Sequence, residues 1–125
     1  MAGKLSSNAQ VQLATLQGFS AKVARVNGMV EQYASAKLNP DQYVMPMQRL
    51  FGQLKLQFMG VGLDTLSQLC GAMEIASKRG LSHPQKSRIL REGVGSLKFQ
   101  LDLAQRTVVS EDEAAKRKKE AEEAG

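Results

Sequence analysis

The chain has 125 residues, 42% of them hydrophobic, 5% aromatic, with one Cys and a formal net charge of +5. That length suits one domain able to bury its own core without staples. One Cys excludes an internal disulfide and any C-x-x-C pair for zinc or redox chemistry, no apolar run approaches the ~20 residues that span a bilayer, and the basic balance favours an anionic partner.

The first residues, MAGKLSSNAQ, lack the continuous apolar core of a signal peptide, so a cytoplasmic protein is expected. Residues 1–6 read as frayed. Ser7 and Gln10 make an S-x-x-Q box, which starts a helix by satisfying orphan amides. That first helix is expected to run to about Lys37. Leu16, Phe19, Val23, Val26, Val30 and Tyr33 recur at steps of three and four, the spacing of a bundle seam. Gly18 and Gly28 weaken the helix, and close packing on a neighbour would explain them.

Leu38-Asn39-Pro40-Asp41 stops one helix and starts the next, with Asn39 as a cap and Pro40 at the first position. Pro46 places the second helix proper near Met45, or sets a short turn at 41–45 before it. The second helix then continues to about Gly60. Its stripe is Leu50, Leu54, Phe58 and Val61, and the next helix, Leu63 to Lys78, carries Leu66, Leu69, Met73 and Ala76. Between them, Gly60-Val61-Gly62 forms a joint where the apolar face is re-aimed. Lys78 and Arg79 suit a helix C-terminus, with Gly80 as a left-handed cap.

Ser82-His83-Pro84-Gln85 is a further capping box. The fourth helix carries Leu90, Val94, Leu97, Leu101, Ala104 and Val108, with Gly93 and Gly95 as small positions. After Ser110 the text EDEAAKRKKEAEEAG is charged and has no apolar stripe. The expected organisation is a four-helix domain over 1–110 and a charged helical extension or disordered tail over 111–125. Four amphipathic helices with short loops imply an all-α, antiparallel up-down four-helix bundle.

The stretch from Leu50 to Lys78 resembles the centre of histidine-containing phosphotransfer (HPt) domains. That family carries H-x-L-K-G, a Gly seven residues after the Lys, a Leu eleven after it, and a later L-C-x-x-L-E run. Here Leu54-Lys55 stand for L-K, Gly62 and Leu66 fall at the two spacings, and Leu69-Cys70-Gly71-Ala72-Met73-Glu74 stand for the run. The phosphoacceptor position holds Gly52, and the Gly after the Lys is replaced by Leu56. The resemblance implies an HPt-like fold without phosphotransfer chemistry. It implies a docking face for a response-regulator receiver domain or histidine kinase, made by Gln48, Arg49, Gly52, Gln53, Lys55 and Leu56.

Few residues offer chemistry otherwise. His83 is the only histidine. A zinc site needs three or four good ligands, so no metal and no cofactor is expected. No nucleophile motif, phosphate-cradling loop or dinucleotide fingerprint is present. Cys70 lies on an apolar stripe and reads as a buried structural thiol. Asp64 and Glu74 read as isolated surface acids. The expectation is that the chain is not an enzyme.

A second candidate is a basic pole. An up-down bundle gathers Lys37, Lys78, Arg79, Lys86, Arg88 and Arg91 at one end. Three of these lie in the first turns of the fourth helix, where positive charge opposes the helix dipole. This leaves a solvated surface, an acidic protein partner or, less readily given the few aromatics, nucleic acid. The alternative function is therefore a structural or regulatory helical protein, open to dimerisation, that holds an anionic partner there. No membrane partner is expected.

Overall fold

The computed structural model describes residues 5–124. Four helices follow in order: α1 Ser7–Ser35, α2 Val44–Gly60, α3 Asp64–Lys78 and α4 His83–Ala124, with a 3-10 turn Pro40–Tyr43 before α2. No strand occurs among the described residues, and no helix there is long and apolar enough to cross a membrane. Successive contacts show that neighbouring helices run antiparallel. Ser20 meets Gln105, Glu31 meets Arg91 and Tyr33 meets His83 along α1 and α4. Ser67 of α3 donates to the Lys55 carbonyl of α2, and Lys86 of α4 donates to the Ser77 carbonyl of α3. The pairs α2–α3 and α1–α4 are the most extensive.

One core is lined by all four helices. From α1 come the six seam residues Leu16 to Tyr33, and from α4 come Leu90, Val94, Leu97 and Leu101. Ala104 and Val108 are half-buried and pack against that core. The α2 seam differs from the expected one. It is Met47, Phe51, Leu54 and Phe58, while Leu50 is half-buried and Val61 is exposed at the joint. On α3, Leu66, Cys70, Met73 and Ala76 face inward, and Leu69 is half-buried. Burial pushes the Cys70 thiol up to about 12, which keeps it a small apolar side chain.

Several ends are set differently from the sequence reading. The cap of α1 is Ser6, whose Oγ accepts from the Ala9 amide at 3.2 Å, so the expected Ser7–Gln10 box does not form, and Gln10 Nε2 donates to the Leu5 carbonyl at 2.8 Å. Ser6 also donates through its amide and hydroxyl to the two Asp112 carboxylate oxygens, at 3.1 and 2.6 Å. Those bonds favour the ionised carboxylate, holding Asp112 below its ordinary range. The frayed reading of residues 1–4 lies outside the described residues. α1 ends at Ser35, and Asn39 is left-handed (φ 47°) without a side-chain cap bond. Pro46 falls in the first turn of α2, where a missing N–H disrupts no bond.

Gly18 and Gly28 are exposed, with open space where a Cβ would stand, so close packing is not their reason. Gly93 does serve packing, since a Cβ there would overlap the buried Met73 side chain. At the α2–α3 joint, Gly62 has φ +77°. The Leu63 amide returns to the Phe58 carbonyl at 2.9 Å and the Gly62 amide to the Met59 carbonyl at 3.1 Å. This is a Schellman ending, and the left-handed angle explains Gly at 62. Gly80 is not left-handed.

The α3 C-terminus is closed instead by Lys86, which is 7% exposed and donates to the Ser77 carbonyl at 3.0 Å. A cation there meets the negative end of the α3 dipole. Replacing Lys86 with Ala strands that carbonyl and is expected to cost about 1–3 kcal/mol in urea unfolding. Lys86→Met, which keeps the stem packing, is expected to lose less. Unchanged stability in both variants would remove Lys86 as a cap.

α4 continues through residue 110 without a break, so residues 111–124 extend the same helix. The Asp112 bonds to Ser6 carry the α1–α4 pairing past position 110.

Candidate protein-docking face

The sequence-derived docking residues lie together on α2. Gln48, Gly52 and Lys55 are half-buried along the edge facing α3, whereas Arg49, Gln53 and Leu56 are exposed. The steps from 48 to 52 to 55 keep the first three on one side of the helix. Beside them runs an outer row at positions 45, 49, 52, 56 and 59, again at steps of four and three. In that row Met45 is 60% exposed, Leu56 65% and Met59 53%. Met45 and Met59 were missed by the sequence reading. Their signal was present, because both keep the helical register of Gly52 and Leu56.

The α2–α3 edge is interleaved through two glycines. Glu74 of α3 lies over Gly52, and a Cβ at 52 would overlap its carboxylate. Lys55 of α2 lies over Gly71, its Cδ 3.5 Å from where a Cβ would stand. Gly52 therefore makes room for Glu74, whereas a Cβ at Gly71 would meet Lys55 at ordinary contact distance. Glu74 is half-buried here rather than an isolated surface acid. Lys55 and Glu74 are not joined in an ion pair. The pairs among the described residues are Arg91–Glu31, Arg106–Asp102 and Lys116–Asp112. The Lys55 backbone is fixed from α3 as well, since its carbonyl accepts from Ser67 Oγ at 2.9 Å.

The result is a mixed row: Met45, Leu56 and Met59 are apolar, Arg49 stands between them, Glu74 lies over Gly52 at the middle, and Lys55 borders the row. Such a surface buries methyl and methylene groups against a partner while matching negative charge at its rim.

The basic pole is divided. The ends of α1 and α3 and the start of α4 meet there, with Lys37, Lys78, Arg79 and Arg88 exposed. The other two have internal roles. Lys86 caps α3, and Arg91 makes a two-pronged contact with Glu31 at 2.9 and 3.0 Å. That contact holds Glu31 below and Arg91 above their ordinary ranges. Local structure thus accounts for two of the three cations that oppose the α4 dipole.

His83 is the first residue of α4 and not a loop residue. Its Nε2 lies 2.8 Å from the Tyr33 carbonyl, and its ring packs at a tilt of 57° against that of Tyr33, with centroids 4.8 Å apart. Ser82 and Gln85 form the expected box around it, Ser82 Oγ accepting the Gln85 amide at 3.3 Å. His83 therefore ties the start of α4 to the end of α1. Among the described residues no three His, Cys, Asp or Glu side chains gather as a metal site.

A separate apolar groove of about 590 Å³ opens where the α2–α3 joint meets α1 and α4. Val11, Val61 and Leu103 form its exposed apolar rim, over Leu16 and Leu66.

No family model, curated protein or solved structure matches this chain.

Proposed function

We propose that this chain is a noncatalytic HPt-like signalling module. It binds a response-regulator receiver domain or histidine kinase through the outer face of α2, in the cytoplasm, and accepts no phosphate. The observation that carries this reading is the exposed set Met45, Leu56 and Met59 in register with Gly52, on the helix where the Lys55–Gly62–Leu66 spacing begins. Three large apolar side chains in register on one exposed face favour a partner over solvent. Two of them are flexible methionines, which adapt to a partner's contours. Binding acts by occupancy, covering the partner's phosphotransfer surface. The alternative, an anionic partner at the basic pole, draws on fewer cations because Lys86 and Arg91 are engaged within the fold.

The test is an NMR titration of the labelled chain with receiver domains, unphosphorylated and carrying a phosphoryl mimic, and with a short DNA duplex for comparison. Shifts are expected over residues 45–59. Leu56→Asp and Lys55→Glu are each expected to weaken receiver binding roughly 10- to 100-fold, the range of an interface anchor, with the helical spectrum unchanged. Shifts confined to residues 78–91 on adding DNA would move the function to the basic pole.

A further inference from the structure

We infer that two copies of this chain associate through the C-terminal part of α4, paired antiparallel about Ala114 and Ala115. This surface is distinct from the α2 face, and the inference does not rest on the function proposed for it.

α1 is tied to α4 at its far end by the Ser6–Asp112 bonds. Residues 113–124 continue the helix for about another 18 Å at 1.5 Å per residue. Over that length every described side chain is exposed except the half-buried Lys116. Asp112 marks the side of α4 that faces α1. Ser110 and Ala114, two residues to either side, lie about 160° away around the helix, on its open side. Leu103 and Thr107, on the wall of the apolar groove, share that open side, and Ala121 continues it. Ser110, Ala114 and Ala121 thus put small side chains on that side, with Arg117 and Lys118 flanking the turn between the two alanines, and small side chains let a second helix approach closely.

Small residues alone name no occupant; the charge order does. Along α4 the sequence runs acidic at Glu111–Glu113, basic at Lys116–Lys119 and acidic again from Glu120. Parallel pairing in register would set like charges side by side, which is unfavourable. An antiparallel copy centred between Ala114 and Ala115 brings residue i level with residue 229 − i. Glu111 then stands beside the partner copy's position 118, a lysine, and Glu113 beside positions 116 and 117, a lysine and an arginine. The two-fold axis repeats each pairing. Helical rotation puts Glu111 and Lys118 on one flank of the small-residue row, and Glu113 and Arg117 on the other. At the same register Ala121 of one copy lies level with Val108 of the other, so the tail of each covers the approach to the other's groove. The chain is therefore complementary to itself in charge along this helix.

The test is sedimentation equilibrium of the full chain and of two variants, Glu111→Lys with Glu113→Lys and Arg117→Glu with Lys118→Glu. Both leave Asp112 and its bonds to Ser6 in place. The wild type is expected to dimerise, and each variant alone to self-associate at least about 100-fold more weakly, because four attractive contacts become repulsive. An equimolar mixture of the two variants is expected to recover the dimer, since each then carries the charges the other requires. That recovery also shows that both variants fold. A wild type that stays monomeric over the concentrations used for NMR would overturn the inference. So would variants that dimerise as well as the wild type, or a mixture that stays monomeric.

Discussion

Replacing Phe58 with Ala is expected to cost about 3–5 kcal/mol, a large share of the roughly 5–15 kcal/mol that holds a small domain folded. Phe58 is fully buried, and its ring packs on Phe19 of α1 with centroids 4.4 Å apart. It thereby joins the α2–α3 pair to the α1–α4 pair, whose direct α1–α2 contacts are otherwise sparse. The Phe58 carbonyl also receives the Leu63 amide at the joint. Removing the ring leaves a cavity on the helix whose end that bond closes. Urea unfolding followed by circular dichroism measures the loss. Phe58→Leu, which refills most of the volume, is expected to recover more than half of it. A loss under about 1 kcal/mol for Phe58→Ala would mean that the site collapses around the gap and that Phe58 does not join the two pairs.

Installing an imidazole at position 52 is expected to change the chemistry of the α2 face. If that face docks receivers as HPt domains do, Gly52→His should accept a phosphoryl group from a phosphorylated receiver, where the wild type accepts none. In the transfer the aspartyl P–O bond breaks, an imidazole N–P bond forms, and the aspartate leaves as carboxylate. The obstacle is Glu74, whose carboxylate lies over Gly52. It is the far end of a flexible side chain and can swing aside, so the substitution is compatible with the fold. Its negative charge also opposes an incoming phosphoryl group, so Gly52→His with Glu74→Ala should label faster than Gly52→His alone. Radiolabel transfer on gels reads both. A folded double variant that binds the receiver but takes no label would detach this face from the phosphotransfer geometry.

The seams of α1 and α4 were legible in the sequence because each has one apolar row at steps of three and four. α2 was read out of phase, with Leu50 and Val61 taken for Met47 and Phe51. The cause is physical: Leu50 and Val61 lie on the same side of α2 as Met47 and Phe51, and both sets run through Leu54 and Phe58 at steps of three and four, so spacing alone does not choose between them. The cap, Ser6, falls one position before the expected one because the local pattern favours Ser7, which alone has a Gln three residues on. What distinguishes them is Asp112, 106 residues away in sequence, and no local rule reaches that far. Lys86 was read as a surface cation by its place in a helix start. Its length lets it reach the end of the preceding helix, which only the tertiary arrangement reveals.

The Schellman joint bears on the order in which the chain acquires its structure. Residues 61–63 are all that separates α2 from α3, so those helices meet at small entropic cost and their contacts are local in sequence. The pairing of α1 with α4 closes loops as long as the 106-residue span from Ser6 to Asp112. Contacts of short range form sooner than those of long range. The α2–α3 hairpin is thus the natural nucleus, with α1 and α4 closing around it afterwards. The surface proposed for recognition rests on this hairpin, so its shape depends less on the long-range closure than the faces of α1 and α4 do.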